Sequence, residues 1–378
     1  MKLNVAVPPG VKVLSPEQVD AGIRTGRVPR EPGVRLYGHK LGYTSFSQVT
    51  RGFALALGDV GLFGGFVPLD FFDEEVAYPG SGCDVSVNTG MPSGVARAKL
   101  LGVHKERWLM LAPNSDRIPG RMVEWMPELT TALLSPSRWG VQVLRDIFGS
   151  KLPVHLVPHG VHSEYQMVPV SREERRREYE EDRLFRVLHM TSTNSERKGT
   201  KKLLRAWRRF GAGVFDEKRL TVVCRREGYA ELKECVSELG LRNVTIMPSD
   251  GAPYAFVNRL YGEAHVVCQP SRGEGFGLIP LEAKACGLPV VMTDCTGHRD
   301  HFDLGASVLV ETGDPAPSED MEGATTPSLS ADAIYEALCV ARENYPSLDV
   351  RARRTAPAVH RAHSWTNTTG RAMKELLR

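Results

Sequence analysis

The sequence lacks any long apolar run, and neither sign of charge dominates it. No stretch of its 378 residues approaches the length of a membrane span, and no apolar segment of the signal-peptide kind stands near the N-terminus. The 48 basic and 45 acidic side chains leave a formal net charge of +3, so charge alone does not favour a polyanionic partner. We therefore expect a soluble, cytoplasmic protein. The sequence gives no support for a nucleic-acid partner or for peripheral membrane contact.

Cysteine pairs and an N-terminal nucleotide fingerprint are missing as well. The seven cysteines are odd in number, scattered and without the spacing of zinc ligands, so they predict reduced thiols rather than disulfides or a metal site. The stretch "VAVPPGVKVL" contains no GxGxxG pattern. This absence argues against a Rossmann-type oxidoreductase, which would bind a dinucleotide after its first strand.

Strands and helices alternate regularly in the second half of the chain. Short β-branched runs, apolar on both faces, recur with helix-like segments between them. Such strands form a parallel sheet that helices cover on both faces, and ligands bind at the carboxyl ends of the strands. The predicted strands cover residues 184–190, 219–224, 243–247, 265–270, 289–294 and 306–311.

The first half repeats this α/β pattern less clearly. It predicts an amphipathic helix at residues 46–58 and strands at 84–90, 107–113, 130–137 and 153–160. Between the halves, the segment 171–183 interleaves acids and bases, which is typical of a solvated helix or linker. A chain of this length usually divides into domains. The predicted units are a first domain at 1–170, the linker 171–183, a second domain at 184–360 and a final helix at 361–378.

The stretch "PSRGEGFGLIPLEAKACGLPVVMTD", residues 270–294, carries the most specific signal. Gly273, Gly275 and Gly277 let the backbone approach a ligand or adopt positive φ, and a helix is predicted from Leu278 onward. Free amides at a helix start, together with the helix dipole, favour an anion such as a diphosphate. A plain strand-to-helix turn also uses glycine and is the alternative explanation.

Two glutamates flank this turn and add information about the ligand. Glu274 lies in the loop, and Glu282 lies one to two turns inside the helix. Their carboxylates can accept hydrogen bonds from hydroxyl groups on either side of a phosphate. Glu282 suits a ribose and Glu274 suits a sugar ring. A ligand with hydroxyl groups at both ends and an anionic middle is a nucleotide sugar.

The same stretch, extended to His298, resembles the Glu-x7-Glu signature of the retaining glycosyltransferases of GT-B architecture, glycosyltransferase family 4. The resemblance covers about residues 40–378 and is specific over 265–302. It implies an α/β fold of two doubly wound, Rossmann-like domains that face a central cleft. The acceptor would bind on the first-domain side, the nucleotide sugar would bind to the second domain, and the final helix would cross back to the first. Further segments match in the same order, at 112–126, 133–149, 157–162, 195–207 and the C-terminal "SWTNTTGRAMKELL".

The resemblance also implies roles for individual residues. Lys198, together with Arg197, binds the leaving diphosphate, and Glu274 binds hydroxyl groups of the donor sugar. These three are the candidate catalytic residues, and Glu282 binds the ribose. On local sequence alone, Lys198 could equally be a solvated residue at a basic helix start. The remaining candidate donor-binding residues are Gly275, Phe276, Gly277, Leu278, Arg272 and Ser192. Arg272 lies close to Glu274 in a loop, and such an arginine often forms only a surface ion pair.

The chain departs from the family pattern at several positions. Ser192 stands where many members place an arginine six residues before the lysine of the basic loop. Either Arg197 replaces that charge, or phosphate binding is weaker. Asp116 could cap a turn instead of contacting the acceptor, and His159 could be a structural residue at the domain junction. The candidates on the acceptor side are Gly42, which is what remains of the first-domain glycine loop, Asn114, Asp116 and His159.

The expected chemistry needs neither a metal nor a cofactor besides the nucleotide-diphosphate sugar that serves as donor substrate. No Asp-x-Asp pair occurs in the sequence, so cations and helix N-termini would stabilise the leaving diphosphate. The resemblance implies same-face attack with retention of anomeric configuration. We expect a retaining, metal-independent glycosyltransferase whose hydroxyl acceptor is a saccharide, a lipid-linked molecule or a small molecule. The alternatives are a non-catalytic nucleotide-sugar binder on the same fold and a transferase that acts on a modified nucleic-acid base.

Overall fold

Two parallel β-sheets organise the fold, one in each half of the chain. The computed structural model describes residues 13–14, 33–38, 45–68, 78–79, 85–89, 104–165, 172–192, 196–212, 217–318 and 321–378. In these residues the first half contains the strands β1 (Val13–Leu14), β2 (Val34–Gly38), β3 (Phe63–Pro68), β4 (Tyr78–Pro79), β5 (Val85–Asn88), β6 (Glu106–Met110), β7 (Ala132–Ser135) and β8 (Val154–Leu156). Six of them form a parallel sheet in the order β3-β2-β5-β6-β7-β8, and β1 pairs with β4 in an antiparallel ribbon.

The second half contains a sheet with the Rossmann strand order. Its strands are β9 (Leu184–Met190), β10 (Glu217–Cys224), β11 (Val244–Pro248), β12 (Val266–Gln269), β13 (Val290–Thr293), β14 (Ser307–Val310), β15 (Thr312–Pro317) and β16 (Thr325–Leu329). The parallel sheet has the order β11-β10-β9-β12-β13-β14. The strand order reverses between β9 and β12. A sheet of this kind binds ligands at that switch point, beside the carboxyl ends of its strands.

Helices connect the strands and cover the sheets. They are α1 (Ser45–Asp59), α2 (Gly120–Leu129), α3 (Arg138–Phe148), α4 (Arg172–Glu180), α5 (Thr200–Phe210), α6 (Arg226–Glu238), α7 (Tyr254–Glu263), α8 (Leu278–Ala285), α9 (Ala331–Glu343), α10 (Tyr345–Ala362) and α11 (Arg371–Leu376). Serine hydroxyls cap two of them, because Ser137 accepts a hydrogen bond from the amide of Gly140 and Ser330 accepts one from the amide of Ala333. A 3-10 turn, Thr296–His301, follows β13, and a π-helical turn, Thr366–Gly370, precedes α11.

An antiparallel hairpin links the second sheet to the first domain. Its strands β15 and β16 follow β14 directly. The carboxylate of Asp116, in the loop after β6, accepts hydrogen bonds from the amide and the hydroxyl of Thr325 at 2.6 and 2.7 Å. A second tie joins α3 to the 3-10 turn, where the carboxylate of Asp300 accepts the amide of Arg138 at 2.8 Å. The two halves therefore contact each other at the carboxyl ends of both sheets.

The last residues of the chain return to the first domain. Trp365 and Met373 are buried in the core that lies between α1 and the first sheet. The amide of Val161 donates to the carbonyl of His363 at 2.7 Å. Trp365 packs so closely on α1 that a Cβ on Gly52 would lie 2.1 Å from its ring. The first domain thus takes part of its core from the far end of the chain.

The described residues confirm the predicted fold class. All six strands predicted for the second sheet are present, and the helix predicted at 46–58 is α1. The view of 171–183 as merely solvated is wrong at Arg175. This side chain of α4 is buried, and its guanidinium donates to the carbonyls of Ala264 and Gly262 at 2.6 and 2.8 Å. No helix in the described part of the chain is long and apolar enough to cross a membrane.

The contact between α1 and Trp365 predicts that alanine substitutions at two glycines of this helix have different effects on stability. Alanine favours a helix over glycine by about 0.5–1 kcal/mol, but Gly52→Ala must displace the indole, and overpacking costs about 1–3 kcal/mol. We expect Gly52→Ala to lower the free energy of unfolding by about 1–2 kcal/mol. Gly58→Ala is the control, because a Cβ on Gly58 meets nothing within 4 Å. Urea unfolding measures both variants, and equal midpoints would contradict the packing account.

Candidate functional site

Loops from both sheets meet where their strands end. The glycine turn, residues 273–277, follows β12 beside the switch point, and another loop follows β6 in the first domain. A Cβ on Gly273 would lie 1.9 Å from the carbonyl oxygen of Asn114, and a Cβ on Gly275 would lie 2.5 Å from the Cβ of Ala112. Both positions need glycine because the first domain contacts the turn directly.

The glycine turn ends at Gly277, where α8 begins. Gly277 has a φ of +93°, and a Cβ there would lie 2.4 Å from the ring of His298. Within the described residues, the amides of Gly275, Phe276 and Gly277 have no hydrogen-bond acceptor. These amides and the dipole of α8 together form a site that favours an anion.

Glu274, in the middle of the turn, is paired with two cations. Its Oε1 lies 2.5 Å from Nζ of Lys198 and 3.4 Å from the guanidinium of Arg197. Burial raises the pKa of the Glu274 carboxyl, but the charges of Lys198 and Arg197 outweigh burial and hold the pKa well below its usual range. Its amide donates to the hydroxyl of Thr296 at 2.9 Å, and its carbonyl accepts the amide of Gly297 at 2.8 Å. Glu274 is therefore charged and held in place.

The basic loop before α5 packs against the end of β12. Gly199 adopts a φ of +72°, and a Cβ there would lie 2.3 Å from the carbonyl oxygen of Pro270. The guanidinium of Arg197 donates to the carbonyl of Gly273 at 2.5 Å. The side chain of Lys198 is consequently only 13% exposed. Its position excludes the alternative that Lys198 is a solvated residue at a helix start.

Glu282 lies on α8 and is buried beside two tyrosines. The hydroxyl of Tyr261 donates to its Oε2 at 2.9 Å. Burial raises the pKa of Glu282 to about 7, although hydrogen bonds from Tyr261 and Tyr165 act in the opposite direction. The two glutamates of the signature therefore differ near neutral pH, because Glu274 is ionised and Glu282 is partly protonated. Ribose binding by Glu282 stays a prediction.

The side chain of Arg272 contacts the hairpin. Its guanidinium donates to the carbonyl of Pro327 at 3.0 Å and to that of Pro317 at 3.2 Å. Ser192 lies two residues beyond β9, and its carbonyl accepts the hydroxyl of Thr191 at 3.5 Å. Donor contacts of Arg272 and Ser192, and the contribution of the Leu278 amide at the start of α8, stay predictions.

The acceptor-side candidates of the first domain lie at the contact between the domains. The carbonyl of Asn114 touches the glycine turn, as described above. Asp116 binds Thr325 of the hairpin, and this bond takes the place of the turn cap that the sequence left open. Gly42 lies outside the described residues. Acceptor contacts of Asn114 and Asp116 stay predictions.

His159 packs between the glycine turn and the C-terminal segment. Its ring centroid lies 5.3 Å from that of Phe276 and 5.4 Å from that of Trp365. Burial lowers the pKa of His159 to about 3, so the imidazole is neutral. These contacts favour the structural role that the sequence left open for His159.

Two buried histidines of the 3-10 turn were not identified from the sequence. Nε2 of His301 donates to the carbonyl of Phe276 at 2.8 Å and so fixes the glycine turn. His298 lies against Gly277. The segment "TGHRDH" offers a signal, since it follows a strand of the second sheet at the edge where ligands bind.

Comparison with known proteins finds a family match over most of the second domain. Residues 171–320 match the family model described as "Glycosyl transferases group 1". The protein named D-inositol 3-phosphate glycosyltransferase 1 of Catenulispora acidiphila is 39% identical over 88 residues, which cover 23% of this chain and 21% of that protein. The chain therefore matches about a fifth of the length of this relative. The family match confirms the predicted kinship over the second domain.

Solved structures share the fold over most of the chain, at low sequence identity. A sucrose-phosphate synthase from Thermosynechococcus elongatus superposes with a TM-score of 0.66 at 15% identity, covering 92% of this chain and 98% of that chain. Anabaena HepE in complex with UDP-glucose superposes with a TM-score of 0.60 at 14% identity, covering 78% of each chain. These likenesses confirm the predicted GT-B architecture.

The raised pKa of Glu282 predicts a pH-dependent stability. The pKa is 4.5 in an unperturbed carboxyl and about 7 in the folded protein. Between these pH values the folded state keeps a proton that the unfolded state has released, so this group lowers stability as pH rises through that range. Glu282→Gln does not titrate. The quantity to compare is the free energy of unfolding of Glu282→Gln minus that of the unsubstituted protein. This difference should be larger at pH 8 than at pH 5 by roughly 2–4 kcal/mol.

Chemical denaturation at both pH values measures this difference. Glu263→Gln is the control, because Glu263 is an exposed glutamate on α7. Its effect on stability should be small at both pH values. The same effect of Glu282→Gln at pH 5 and pH 8 would show that Glu282 does not titrate near neutrality.

Proposed function

We propose that the protein is a retaining glycosyltransferase, because residues 171–320 match the group 1 glycosyltransferase model and the chain has the GT-B fold. It transfers a sugar from a nucleotide-diphosphate sugar to a hydroxyl acceptor, without a metal ion. The observation that carries the proposal is the buried pair of Glu274 and Lys198 beside the amides of the glycine turn, which have no acceptor among the described residues. This arrangement offers a carboxylate for sugar hydroxyl groups and positive charge for a diphosphate.

The proposed reaction uses each of these groups differently. The bond between the anomeric carbon and the diphosphate oxygen breaks, and its electron pair stays with the diphosphate. The acceptor oxygen forms the new bond on the same face, and its proton passes to the departing oxygen. The diphosphate gains negative charge in this step, so Lys198, Arg197 and the amides at the start of α8 stabilise the transition state more than the ground state. Glu274 orients the sugar ring.

The same groups support metal independence. In our proposal, Lys198, Arg197 and the amides at the start of α8 supply the positive charge that a divalent ion would otherwise bring to the diphosphate. The described residues contain no group of three His, Cys, Asp or Glu side chains suited to a metal ion. The structure of Anabaena HepE in complex with UDP-glucose supports a nucleotide sugar as the ligand class for this fold. The acceptor in our proposal is a hydroxyl compound, and its identity is left to experiment.

A donor panel tests the proposal directly. UDP-glucose, GDP-mannose and ADP-glucose are each added to the purified protein, and the unfolding temperature is measured. A donor at 100 times its dissociation constant should stabilise the protein by about 2.7 kcal/mol. Binding and transfer should persist in excess EDTA. Stabilisation without turnover on any acceptor would instead favour a non-catalytic binder, and a loss of turnover in EDTA that magnesium restores would overturn metal independence.

Substitution of Lys198 tests the role of its charge. With the donor identified by the panel, Lys198→Ala should lower kcat about 10²–10³-fold, as loss of other electrostatic stabilisers does, while KM for the donor changes less. Lys198→Arg should restore activity only in part, because a planar guanidinium places its charge differently. Lys202→Ala is the matched control. Lys202 lies on α5 and pairs with Glu196 at 3.6 Å, and its loss should leave kcat within about twofold. Equal effects of the two alanine variants would contradict the assignment.

A further inference from the structure

His298 is completely buried in the candidate site, yet one of its two ring nitrogens has no hydrogen-bond partner within the described residues. The residue lies in the 3-10 turn after β13, and its side chain is 0% exposed. Its Nε2 has no hydrogen-bond partner within the described residues. A buried polar atom without a partner is costly, and each such atom in a native protein calls for an explanation, such as a bound molecule or a catalytic role.

The hydrogen bonds of Nδ1 determine which nitrogen carries the proton. Nδ1 lies 3.2 Å from the carbonyl oxygen of Thr293 and 3.2 Å from its hydroxyl oxygen. A carbonyl can only accept, and the hydroxyl already donates its proton to the carbonyl of Ser271 at 2.6 Å. Nδ1 must therefore be the donor. The neutral imidazole then has a bare lone pair on Nε2, which can accept a hydrogen bond but cannot give one.

The surroundings of Nε2 place this lone pair next to the residues of the proposed donor site. A Cβ on Gly277 would lie 2.9 Å from Nε2, so this nitrogen faces the end of the glycine turn. The segment that carries His298 is tied to Glu274, since Thr296 and Gly297 bond its amide and carbonyl at 2.9 and 2.8 Å. The imidazole also lies within the electrostatic influence of Glu274 and Lys198. Nε2 thus lies against the end of the glycine turn, on a segment that is bonded to Glu274.

We propose that Nε2 of His298 accepts a hydrogen bond from a hydroxyl group of the donor sugar, and so helps to determine which sugar is transferred. This inference rests on the proposed function. A bare lone pair repels a phosphate oxygen, which is also an acceptor, whereas a sugar hydroxyl group donates and satisfies it. Glu274 and His298 would then hold two hydroxyl groups of one ring. A site built to bond a hydroxyl group discriminates strongly against an analogue that lacks it.

Calorimetry on matched ligands tests this assignment. The probes are UDP-glucose, GDP-mannose and ADP-glucose, each compared with its free nucleoside diphosphate. His298→Phe keeps a ring but removes the acceptor, and it should weaken binding of the intact donor about tenfold. Binding of the free nucleoside diphosphate should stay within about twofold. His298→Gln, whose amide oxygen can replace Nε2, should lose less affinity for the donor than the phenylalanine variant.

Two controls separate this role from a purely structural one. His265→Phe alters another buried histidine, whose Nε2 has no hydrogen bond within the described residues and lies 3.7 Å from the carboxylate of Glu178. His265 stands at the amino end of β12, away from the carboxyl ends where the candidate site lies. This variant should leave the preference for donor over nucleotide unchanged. If the ring of His298→Phe is not accommodated, His298→Leu removes the same acceptor with a side chain that has no ring. A donor analogue that lacks the hydroxyl group bound by Nε2 should bind the unsubstituted protein and the acceptor-free variant equally well.

The outcomes distinguish the inference from the proposed function. If the unsubstituted protein binds none of the three donors, the proposed function fails, and the inference fails with it. If it binds a donor and the acceptor-free variants bind that donor equally well, only the inference is overturned. Equal losses for donor and free nucleotide would also overturn it, because they would place His298 at the phosphates instead of the sugar.

Discussion

The ion pair between Lys198 and Glu274 is the interaction on which the candidate site depends. A carboxylate as buried as Glu274 keeps its charge only because cations contact it. Lys198 reaches it because Gly199 adopts a left-handed conformation, which lets the basic loop close against the end of β12. The pair therefore joins two loops that lie on either side of the point where the strand order reverses. Buried ion pairs add little net stability, since desolvation offsets their attraction. A role in binding a polar ligand accounts for this pair better than a role in folding.

The glycine turn has two surfaces, and a substitution that changes one of them also displaces the other. One surface presents the amides at the start of α8, and the other contacts the backbone of the first domain at Ala112 and Asn114. A side chain at Gly273 or Gly275 would push the domains apart before it disturbed the helix. The bonds from Asp116 to the hairpin and from Asp300 to α3 hold the same junction at other points. The position of the anion site is therefore linked to the distance between the two sheets.

The sequence could predict the features that depend on residues close together in the chain. The glycine turn, the start of α8 and the alternation of the second sheet all depend on local patterns, and the structure contains them. The burial of Lys198 could not be read locally, because it results from Gly199 meeting Pro270, far along the chain. The hairpin partner of Arg272 lies 55 residues away in sequence, and the Thr325 partner of Asp116 lies 209 residues away. The bare nitrogen of His298 could not be predicted either. Only its bonds to Thr293, five residues earlier, together with the bond from Thr293 to Ser271, 22 residues earlier still, show which nitrogen is bare.

The return of the chain to the first domain affects the order in which the protein can be completed. Domains generally fold as they leave the ribosome, with the N-terminal one first. Here the core beneath α1 contains Trp365 and Met373, which are synthesised only after the whole second domain. Until they are synthesised, the hydrophobic surface around Gly52 is uncovered. It stays exposed while every strand of the second sheet is made. The domain that is made first is thus the last to be finished.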